Sequence, residues 1–504
     1  MGWSGAGASV RVFSNPQVDR AAVEEALRAA GVEFGASDRV QRTWLDSFDL
    51  RLTAAGMRLE TAVGRTVTTG LFQADHPPAY LSAQQPPAFA SDLAPGPFRD
   101  RLTAVVEFRA LLPIATLRAV TRTGTQRNGN GKAVARVTLV DSAVLGDTGG
   151  ASLGWAVELD DLLGYEPATA KLTKRLTALG LCVDDGDLFD LAVAANLIKL
   201  NPHDTRPDVR FGADERALPG YRRVLARLFE TIEANWDGAA RDVDSEFLHD
   251  LRVALRRTRT VLANAKGVIG DTDRGRFIDG FHALAQATSA PRDLDVITLS
   301  WSATLAAVDG LDAHDLDPVY RVLEKKRGAA HRALTRQLNS AGTARLLREW
   351  DAWLNSTRGD ELVRAGLPLR SVVNRRLRRL RSRLRDDERD ASPNGRHTAR
   401  KDAKQLRYMI ECFGSVYDQS ARQAFVKELS GFQNRLGAAQ DAHVRAVLLD
   451  DILRADSFEP ATLVAAGRLR EATDSGARPV RRRDIRLFTK AVDRQFEQLI
   501  ESRP

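Results

Sequence analysis

Cysteine is almost absent from this chain, which has two, Cys182 and Cys412, in 504 residues. Two cysteines so far apart exclude a disulfide-stabilised scaffold and a cysteine-rich zinc site. No run of about 18 apolar residues occurs, so the sequence predicts no membrane-spanning helix. The N-terminal residues lack the basic cluster and apolar run of a secretory signal. We therefore expect a cytoplasmic protein.

Familiar catalytic signatures are missing as well. The chain has eight histidines, and it contains no H-E-x-x-H, G-x-S-x-G or P-loop motif. The glycine-rich segment Asn128–Gly131 is not followed by the helix start that a phosphate-binding loop requires, and it predicts a β-hairpin instead. Neither cysteine has a base nearby in the sequence, so both are expected to be buried or inert.

Basic residues are in excess, and the excess is unevenly distributed. The chain carries 74 Lys+Arg and 66 Asp+Glu, for a net charge of +8. Residues 1–200 hold 20 basic and 22 acidic residues, which leaves 54 basic and 44 acidic residues for the remainder. The basic excess of +10 therefore lies beyond residue 200, where it favours an anionic partner.

The first 200 residues have the pattern of a β-rich domain. Two amphipathic segments, Asp19–Ala30 and Ala168–Leu179, predict helices, and six prolines between Gln73 and Phe98 predict a long loop. Strands are predicted by short runs of β-branched and aromatic residues between turn residues. These runs are Val10–Phe13, Val105–Phe108, Ala133–Val140 and Trp155–Leu159.

Helical periodicity dominates residues 216–504, after a linker that we place at residues 201–215. The sequence therefore predicts an α+β protein, in which a β-rich domain at residues 1–200 precedes an all-α domain. The periodicity is clearest in four segments with apolar residues three and four apart. They are Val319–Leu338, Ser340–Leu354, Leu369–Arg385 and Gln423–Leu436.

An internal repeat runs through the helical part. Eight pairs of identical or similar residues recur at one offset of 148 positions without a gap. This recurrence indicates a duplicated unit, and we predict two similar helical bundles related by a pseudo-twofold axis. The pairs are His249 and His397, Arg252 and Arg400, Arg256 and Lys404, Arg259 and Arg407, Leu262 and Ile410, Ala290 and Ala438, Asp293 and Asp441, and Val296 and Val444.

The repeated basic residues form a row on each of two helices. At about 100° per residue, the first row falls within an arc of about 80°, away from the apolar face. We name the two rows the first stripe and the second stripe. The first stripe is His249, Arg252, Arg256 and Arg259, and the second is His397, Arg400, Lys404 and Arg407.

The cations of each stripe require either neutralising acids or a bound anion, because like charges on one helix face repel. A solvated basic face is the simplest alternative. Glu411 is the one acid in the sequence that lies four positions from a stripe residue, Arg407. Either acids from elsewhere offset the repulsion, or a multivalent anion does. The candidate acids are Asp293, its repeat-mate Asp441, and the neighbouring Asp295.

A third basic element has eight arginines between Arg370 and Arg385. Arginine forks match phosphate oxygens in pairs, so Arg375 and Arg379 are candidates to support an anion site. Nucleic-acid binders add stacking groups, and only Tyr408 on the stripe helices could serve. A membrane-surface helix would carry Trp or Phe opposite its basic face. The stripes favour a ligand made only of phosphate, without nucleic acid or membrane as partner.

The stripe residues resemble a known family. The motifs beginning at His249 and at Arg292 resemble the first half of a CHAD domain, and those beginning at His397 and at Phe432 resemble the second half. The resemblance covers roughly residues 216–500. It implies two helical bundles around a basic pore or groove, with both stripes facing inorganic polyphosphate. It also implies polyphosphate binding and a location at polyphosphate granules, and since the sequence contains no catalytic signature, we predict binding without catalysis.

The first 200 residues are similar to a CYTH domain. Leu45–Leu52, Ala55–Leu59, Pro113–Arg118 and Trp155–Leu159 carry this similarity. It implies an antiparallel β tunnel that binds triphosphate compounds, and active members hold a metal there through carboxylates.

The first strand departs from the CYTH pattern. Active members begin with an E-x-E-x-K strand, in which alternation points both glutamates inward, whereas Ala8–Phe13 contains no acid. Hard cations need oxygen ligands, so we predict a degenerate CYTH-like domain that holds no metal and no cofactor. The alternative is an inorganic triphosphatase with Mg²⁺ or Mn²⁺, for which Glu107, Glu158 and Asp160 remain as strand carboxylates.

Overall fold

The computed structural model describes residues 10–73, 76–145, 152–160, 162, 164–184, 188–194, 205–356, 364–387, 393–476 and 482–502. The chain divides into two compact units, residues 1–203 and 204–504, here called the N-terminal unit and the helical unit. The first is built on an antiparallel sheet and the second is helical. The predicted α+β fold class is thus confirmed.

The N-terminal unit is built on one sheet. The strands follow the order β10-β1-β9-β8-β7-β3-β4-β5-β6, with β2 paired to β7, and neighbours are antiparallel. The described strands are β1 (Val10–Ser14), β2 (Val32–Phe34), β3 (Asp38–Asp46), β4 (Met57–Val63), β5 (Val67–Gln73), β6 (His76–Ala83), β7 (Leu112–Arg127), β8 (Ala133–Leu145), β9 (Ser152–Asp160) and β10 (Cys182–Asp184). The described helices are α1 (Arg20–Ala29), α2 (Arg51–Ala54), α3 (Pro97–Val106), α4 (Glu166–Ala178) and α5 (Leu188–Ala194).

Two predictions in this unit are wrong. Val105–Phe108 is not a strand, because α3 extends to Val106. Glu107 follows that helix with a φ of 53° and bonds to Arg51 at 2.8 Å, so it is no strand carboxylate. The proline-rich segment is not one long loop, because β6 occupies part of it. Since β6 lies at the sheet edge and beside a register shift, its prolines remove few ladder hydrogen bonds.

The sheet curves back on itself, and its concave face packs against α5. Trp44 on β3 meets Phe189 of α5 with ring centroids 5.3 Å apart, and Val12 of β1 belongs to the same buried cluster. Arg42 on β3 donates to Glu158 on β9 at 2.5 Å, although β7 and β8 lie between these two strands in the sheet order. Helix α5 therefore lies on the inner face of the predicted antiparallel β tunnel.

Charged groups on the concave face neutralise one another. Arg42 donates to Glu60 at 2.6 and 2.8 Å, and to Glu158 at 2.5 Å. Burial opposes the charge of Arg42, but Glu158 and Glu60 outweigh it and raise the pKa of Arg42. Burial raises the pKa of Glu158 despite Arg42. The two glutamates are 7% and 8% exposed, so they lie out of reach of bulk water.

This interior does not fit a divalent metal. Both glutamates are held by one guanidinium, and the first strand places Val12 on the concave face, where a metal site would need an oxygen. Among the residues that the structure describes, no group of three His, Cys, Asp or Glu could hold a metal ion. The interior therefore has the chemistry of a protein core that contains compensated charges, the Arg42 cluster and the ion pair of Arg58 with Asp190.

Removal of Arg42 should strongly destabilise the N-terminal unit. We expect Arg42→Met to cost about 3–5 kcal/mol of local stability, because two buried carboxylates lose their cation. The loss should be smaller at pH 5 than at pH 8. Burial already raises the pKa of Glu158, and in the variant the opposing charge of Arg42 is gone, so stability falls as the pH rises through the raised folded-state pKa of Glu158. Hydrogen exchange of β3 and β9 peptides in the full-length protein measures this. The triple variant R42M/E60Q/E158Q should recover much of the protection, and unchanged exchange in R42M would contradict the argument.

The helical unit confirms all four segments that were predicted from periodicity. They lie within α11, α12, α13 and α15, and Ser340 caps α12 rather than belonging to it. None of the described helices has the length and apolar character needed to cross a bilayer. The helices are α6 (Ala217–Ala240), α7 (Ser245–Ala263), α8 (Asp271–Ala287), α9 (Ser289–Leu299), α10 (Trp301–Ala306), α11 (Asp317–Leu338), α12 (Ala341–Leu354), α13 (Leu369–Asp387), α14 (Pro393–Phe413), α15 (Gln419–Ala455), α16 (Pro460–Gly476) and α17 (Arg482–Glu501).

The internal repeat is visible in the order of these helices. At the offset of 148 positions, α6 and α7 correspond to α13 and α14, and α8 with α9 corresponds to α15. The first copy is interrupted at Thr288, whereas α15 continues through the equivalent position. In both copies the second helix packs on the first and third, and α7 also packs on α14. The two stripe helices are therefore neighbours.

Candidate anion-binding surface

Helix α7 presents the first stripe at the border between core and solvent. The carboxylate of Asp244 caps the helix by accepting hydrogen bonds from the backbone N–H groups of Glu246 and Phe247, at 2.9 and 3.0 Å. Leu251 and Leu255 are fully buried on the opposite face. All four stripe residues, His249, Arg252, Arg256 and Arg259, are half-buried.

Within the described residues, the arginines of the first stripe have no acid at contact distance. Arg252, Arg256 and Arg259 make no ion pair with any residue in the described ranges. The pKa of Arg252 is lowered to about 10, first by burial and then by Arg256, against the opposing charge of Asp293. Burial, and then Arg256, also lower the pKa of Arg259. The stripe therefore holds its positive charge at an electrostatic cost.

Two hydroxyls fix the guanidinium of Arg252. It donates to the Thr288 hydroxyl at 3.2 Å and to the Ser289 hydroxyl at 2.7 Å, at the break between α8 and α9. Sequence analysis missed both residues, because they are remote from the stripe. In the second copy their equivalents are Leu436 and Gly437, which carry no hydroxyl. The break between helices thus supplies a support that the repeat does not duplicate.

Helix α14 carries the second stripe in a similar way. Arg400, Lys404 and Arg407 are half-buried, whereas the side chain of His397, on the same helix, lies outside the described residues. Arg407 lies 3.6 Å from Glu411. The acid predicted to neutralise this stripe therefore reaches one of its members.

An ion pair joins the two stripe helices. Arg257 of α7 donates to Glu411 of α14 at 2.8 and 3.1 Å, and also to the backbone carbonyl of Thr205 at 2.8 Å. Burial opposes the charge of Arg257, but Glu411 outweighs it and raises the pKa of Arg257. Tyr408 is 5% exposed and lies within 5.2 Å of Arg407 and 5.9 Å of Arg257. The tyrosine is thus covered by guanidinium groups.

The three candidate acids differ in position. Asp293 is close enough to Arg252 to act on its pKa, as proposed from the repeat. The side chain of Asp441, on α15, lies outside the described residues. Asp295 does not face the stripes. It is 1% exposed and accepts from Arg327 at 2.7 Å and from His331 at 3.0 Å, because it points into the core between α9 and α11.

Arg375 and Arg379 lie on α13, which packs on the second stripe helix, α14. Both side chains are exposed. After burial, and together with Arg364, their charges lower the pKa of Arg376 on the same helix. Their role in supporting an anion site stays a prediction.

Comparisons with known proteins address the helical unit most directly. The family model described as "CHAD domain" matches residues 223–450. The chain is similar to the CHAD domain from the plant Ricinus communis, with 23% identity, 58% of this chain and 98% of that chain covered, and a TM-score of 0.49. It is also similar to PptA from Streptomyces chartreusis, with 14% identity, 56% and 100% coverage, and a TM-score of 0.42.

One further structure is similar over a smaller part of the chain. It is the Hippeastrum protein HpAC1, described as having a dominant triphosphatase activity, with 10% identity, 38% of this chain and 98% of that chain covered, and a TM-score of 0.27. Among curated proteins, no match to the chain was found. The stripe motifs, the duplicated helices and the family match agree on one assignment. Residues 223–450 of this chain form a CHAD domain.

Proposed function

We propose that the helical unit binds inorganic polyphosphate through the first and second stripes, without catalysis, and that it does so at polyphosphate granules. One observation carries the proposal. Arg252, Arg256 and Arg259 are half-buried on a helix that contacts the second stripe helix, and they have no ion-pair partner among the described residues. Such a row has donors and charge available for a polyanion.

The electrostatics of the first stripe favour a ligand of high charge density. Burial and Arg256 lower the pKa of Arg252 to about 10, so this guanidinium is still protonated at neutral pH but is destabilised by its surroundings. A bound anion relieves that destabilisation, because it replaces repulsion with charge-assisted hydrogen bonds. Each phosphoryl unit of a polyphosphate chain brings a negative charge, so one polymer can satisfy several stripe residues at once.

The surroundings of the stripes support phosphate rather than bases or lipid. Tyr408, the aromatic residue on the stripe helices that could stack on a base, is buried under Arg407 and Arg257. The face of α7 opposite the stripe is packed in the core through Leu251 and Leu255, so it has no apolar surface for a bilayer.

The proposal predicts binding that depends steeply on salt. If six or more cations contact phosphate groups, the affinity of the full-length protein for long-chain polyphosphate should fall by about 10³-fold between 50 and 200 mM salt. Fluorescence anisotropy of labelled polyphosphate measures this, and duplex DNA at equal phosphate concentration should compete poorly. A salt-independent affinity, or displacement of polyphosphate by DNA, would reject the proposal.

The triphosphatase alternative is tested in the same preparations. The Arg42 ion cluster and α5 occupy the concave face of the sheet, so the proposal assigns no hydrolysis to the N-terminal unit. Tripolyphosphate incubated with full-length protein and Mg²⁺ or Mn²⁺ should release no phosphate above background. Metal-dependent release that Glu158→Gln abolishes would establish the alternative.

A further inference from the structure

A polar pocket of about 300 Å³ lies between α13 and α14 of the helical unit. Ligand pockets in proteins span about 300–1,000 Å³, so this one suits a small ligand. Each of the six described side chains that line it is charged or carries a hydrogen-bonding group, and we name it the α13–α14 pocket. They are Arg383 and Asp386 of α13, and Thr398, Lys401, Asp402 and Gln405 of α14.

The pocket has no counterpart in the first copy of the duplicated unit, where an aromatic ring fills the space between the helices. Phe247 of α7 is 4% exposed and packs so closely on Gly238 of α6 that a Cβ atom there would lie 2.2 Å from the ring. At the offset of 148 positions, Gly395 replaces the phenylalanine and Asp386 replaces the glycine. The second copy has thus exchanged an aromatic filling for a polar opening.

Two further exchanges give the opening its charges. In the first copy, Asn235 and Ala254 are 0% and 1% exposed between the same helices. Their equivalents in the second copy are Arg383 and Asp402, which form an ion pair at 2.6 Å. The side chain of Arg383 is 48% exposed, so this pair lies at the pocket and not in the core.

Asp402 is the most buried of the six residues, at 5% exposure, and its contacts use one carboxylate oxygen. Oδ1 accepts from Arg383 at 2.6 Å and from Gln405 at 3.3 Å, whereas Oδ2 makes no hydrogen bond with any described residue. Burial raises the pKa of Asp402, although Arg383 and Lys401 oppose this shift. A cation that reaches Oδ2 would therefore stabilise the charged carboxylate.

The two cations of the pocket have unused donors. Lys401 is exposed, and its ammonium group makes no hydrogen bond or contact ion pair within the described part of the chain. Arg383 donates through Nη2 alone, to Asp402 and, at 3.4 Å, to Gln405. The ammonium of Lys401 and the outer nitrogens of Arg383 can therefore donate to a ligand carboxylate.

The pocket faces away from the second stripe and has a different charge balance. On α14 its four residues fall within an arc of about 100°, and the centre of this arc lies about 130° around the helix from the centre of the stripe. The lining combines two cations with two carboxylates, so its net charge is zero. Carboxylates beside the cations disfavour a polyanion, because like charges brought together are repulsive.

We propose that the α13–α14 pocket binds a zwitterionic amino acid with a polar, uncharged side chain. The carboxylate of this ligand accepts from Lys401 and Arg383, and its ammonium group donates to Oδ2 of Asp402. Among the described residues, no apolar side chain lines the pocket, so an apolar ligand side chain would gain little by entering it. The proposal does not rest on the function proposed for the stripes.

Saturation-transfer NMR of the full-length protein with L-glutamine tests the ligand class. We expect L-glutamine to bind at least about tenfold more tightly than N-acetyl-L-glutamine, which lacks the ammonium group, and than L-glutaminamide, which lacks the carboxylate, because each loses charge-assisted hydrogen bonds. L-leucine and tripolyphosphate should not displace L-glutamine. No transfer to L-glutamine, equal binding of either derivative, or displacement by tripolyphosphate would overturn the proposal.

A pair of lysine variants tests the location. Lys401→Gln should weaken L-glutamine binding about tenfold, since it removes an exposed donor to the ligand carboxylate. Lys325→Gln makes the same change at an exposed position of α11 and should leave the affinity within about twofold. Equal affinities of the two variants for L-glutamine would refute the site.

Asp402→Asn separates ligand contact from a structural role. It should abolish the preference for L-glutamine over N-acetyl-L-glutamine, because the carboxylate that recognises the ammonium group is gone. Circular dichroism confirms that the variants fold, and if Asp402→Asn does not fold, Lys401→Gln decides the question. A folded Asp402→Asn protein that keeps the full preference would contradict the assignment of the ammonium contact.

Discussion

The stripe variant R252E/R256E/R400E/K404E should no longer be retained on immobilised long-chain polyphosphate. It replaces four cations by four anions along the two neighbouring helices, so the row that attracts phosphate would repel it. We expect the affinity to fall by at least about 10³-fold at 50 mM salt, the scale of losing several phosphate contacts. A retention assay with elution by salt measures the effect.

A matched control distinguishes loss of the site from loss of net charge. R321E/R332E/R336E/R348E makes the same charge change at four exposed arginines on α11 and α12, which make no ion pair with any residue in the described ranges. This control should keep most of the retention, within about tenfold of the unmodified protein. Equal loss in both variants would mean that net charge, and not the stripes, governs binding. Undiminished retention of the stripe variant would show that the stripes do not bind polyphosphate.

Asp295→Ala should produce the largest loss of stability in the helical unit, at about 3 kcal/mol or more. Asp295 is 1% exposed and accepts from Arg327 and His331 on α11. Both of these side chains also reach Asp242 in the turn between α6 and α7, at 2.8 and 3.4 Å. Removing Asp295 leaves the donors of Arg327 and His331 with one acid, the half-exposed Asp242.

Hydrogen exchange of α9 and α11 peptides in the full-length protein tests this prediction. Asp242→Ala is the matched control, and because its carboxylate is 30% exposed, we expect a smaller loss of about 1 kcal/mol. At a temperature where Asp295→Ala remains folded, its retention on polyphosphate should be unchanged, since Asp295 faces the core. Reduced retention on polyphosphate without reduced hydrogen-exchange protection would instead indicate that Asp295 supports the stripe residues.

The parts of the molecule that could be predicted from sequence are those set by local periodicity. The 3.6-residue spacing of His249 to Arg259, and its recurrence 148 positions later, fixed the stripe helices and their faces. Burial of the opposite faces follows from the same spacing. The fold class follows from the change in periodicity near residue 200.

The contacts between distant segments could not be predicted in this way. Nothing in the spacing of Asp293 and Asp295 reveals that one lies near Arg252 and the other pairs with Arg327 across the core, because that choice depends on how α9 and α11 pack. In the N-terminal unit, the absence of acids in the first strand was visible, but its consequence, a concave face closed by α5 and Arg42, required the tertiary structure.

The interruption at Thr288 makes the two halves of the duplicated unit structurally unequal. In the first half, hydroxyls at the helix break clamp the guanidinium of Arg252. In the second half, α15 runs on without a break, and Leu436 and Gly437 cannot hold Arg400 in the same manner. If the stripes bind polyphosphate as proposed, the polymer is the same in both directions, whereas the hydroxyl contacts of Arg252 have no equivalent hydroxyls at Leu436 and Gly437. The asymmetry of any such complex would therefore come from the protein alone.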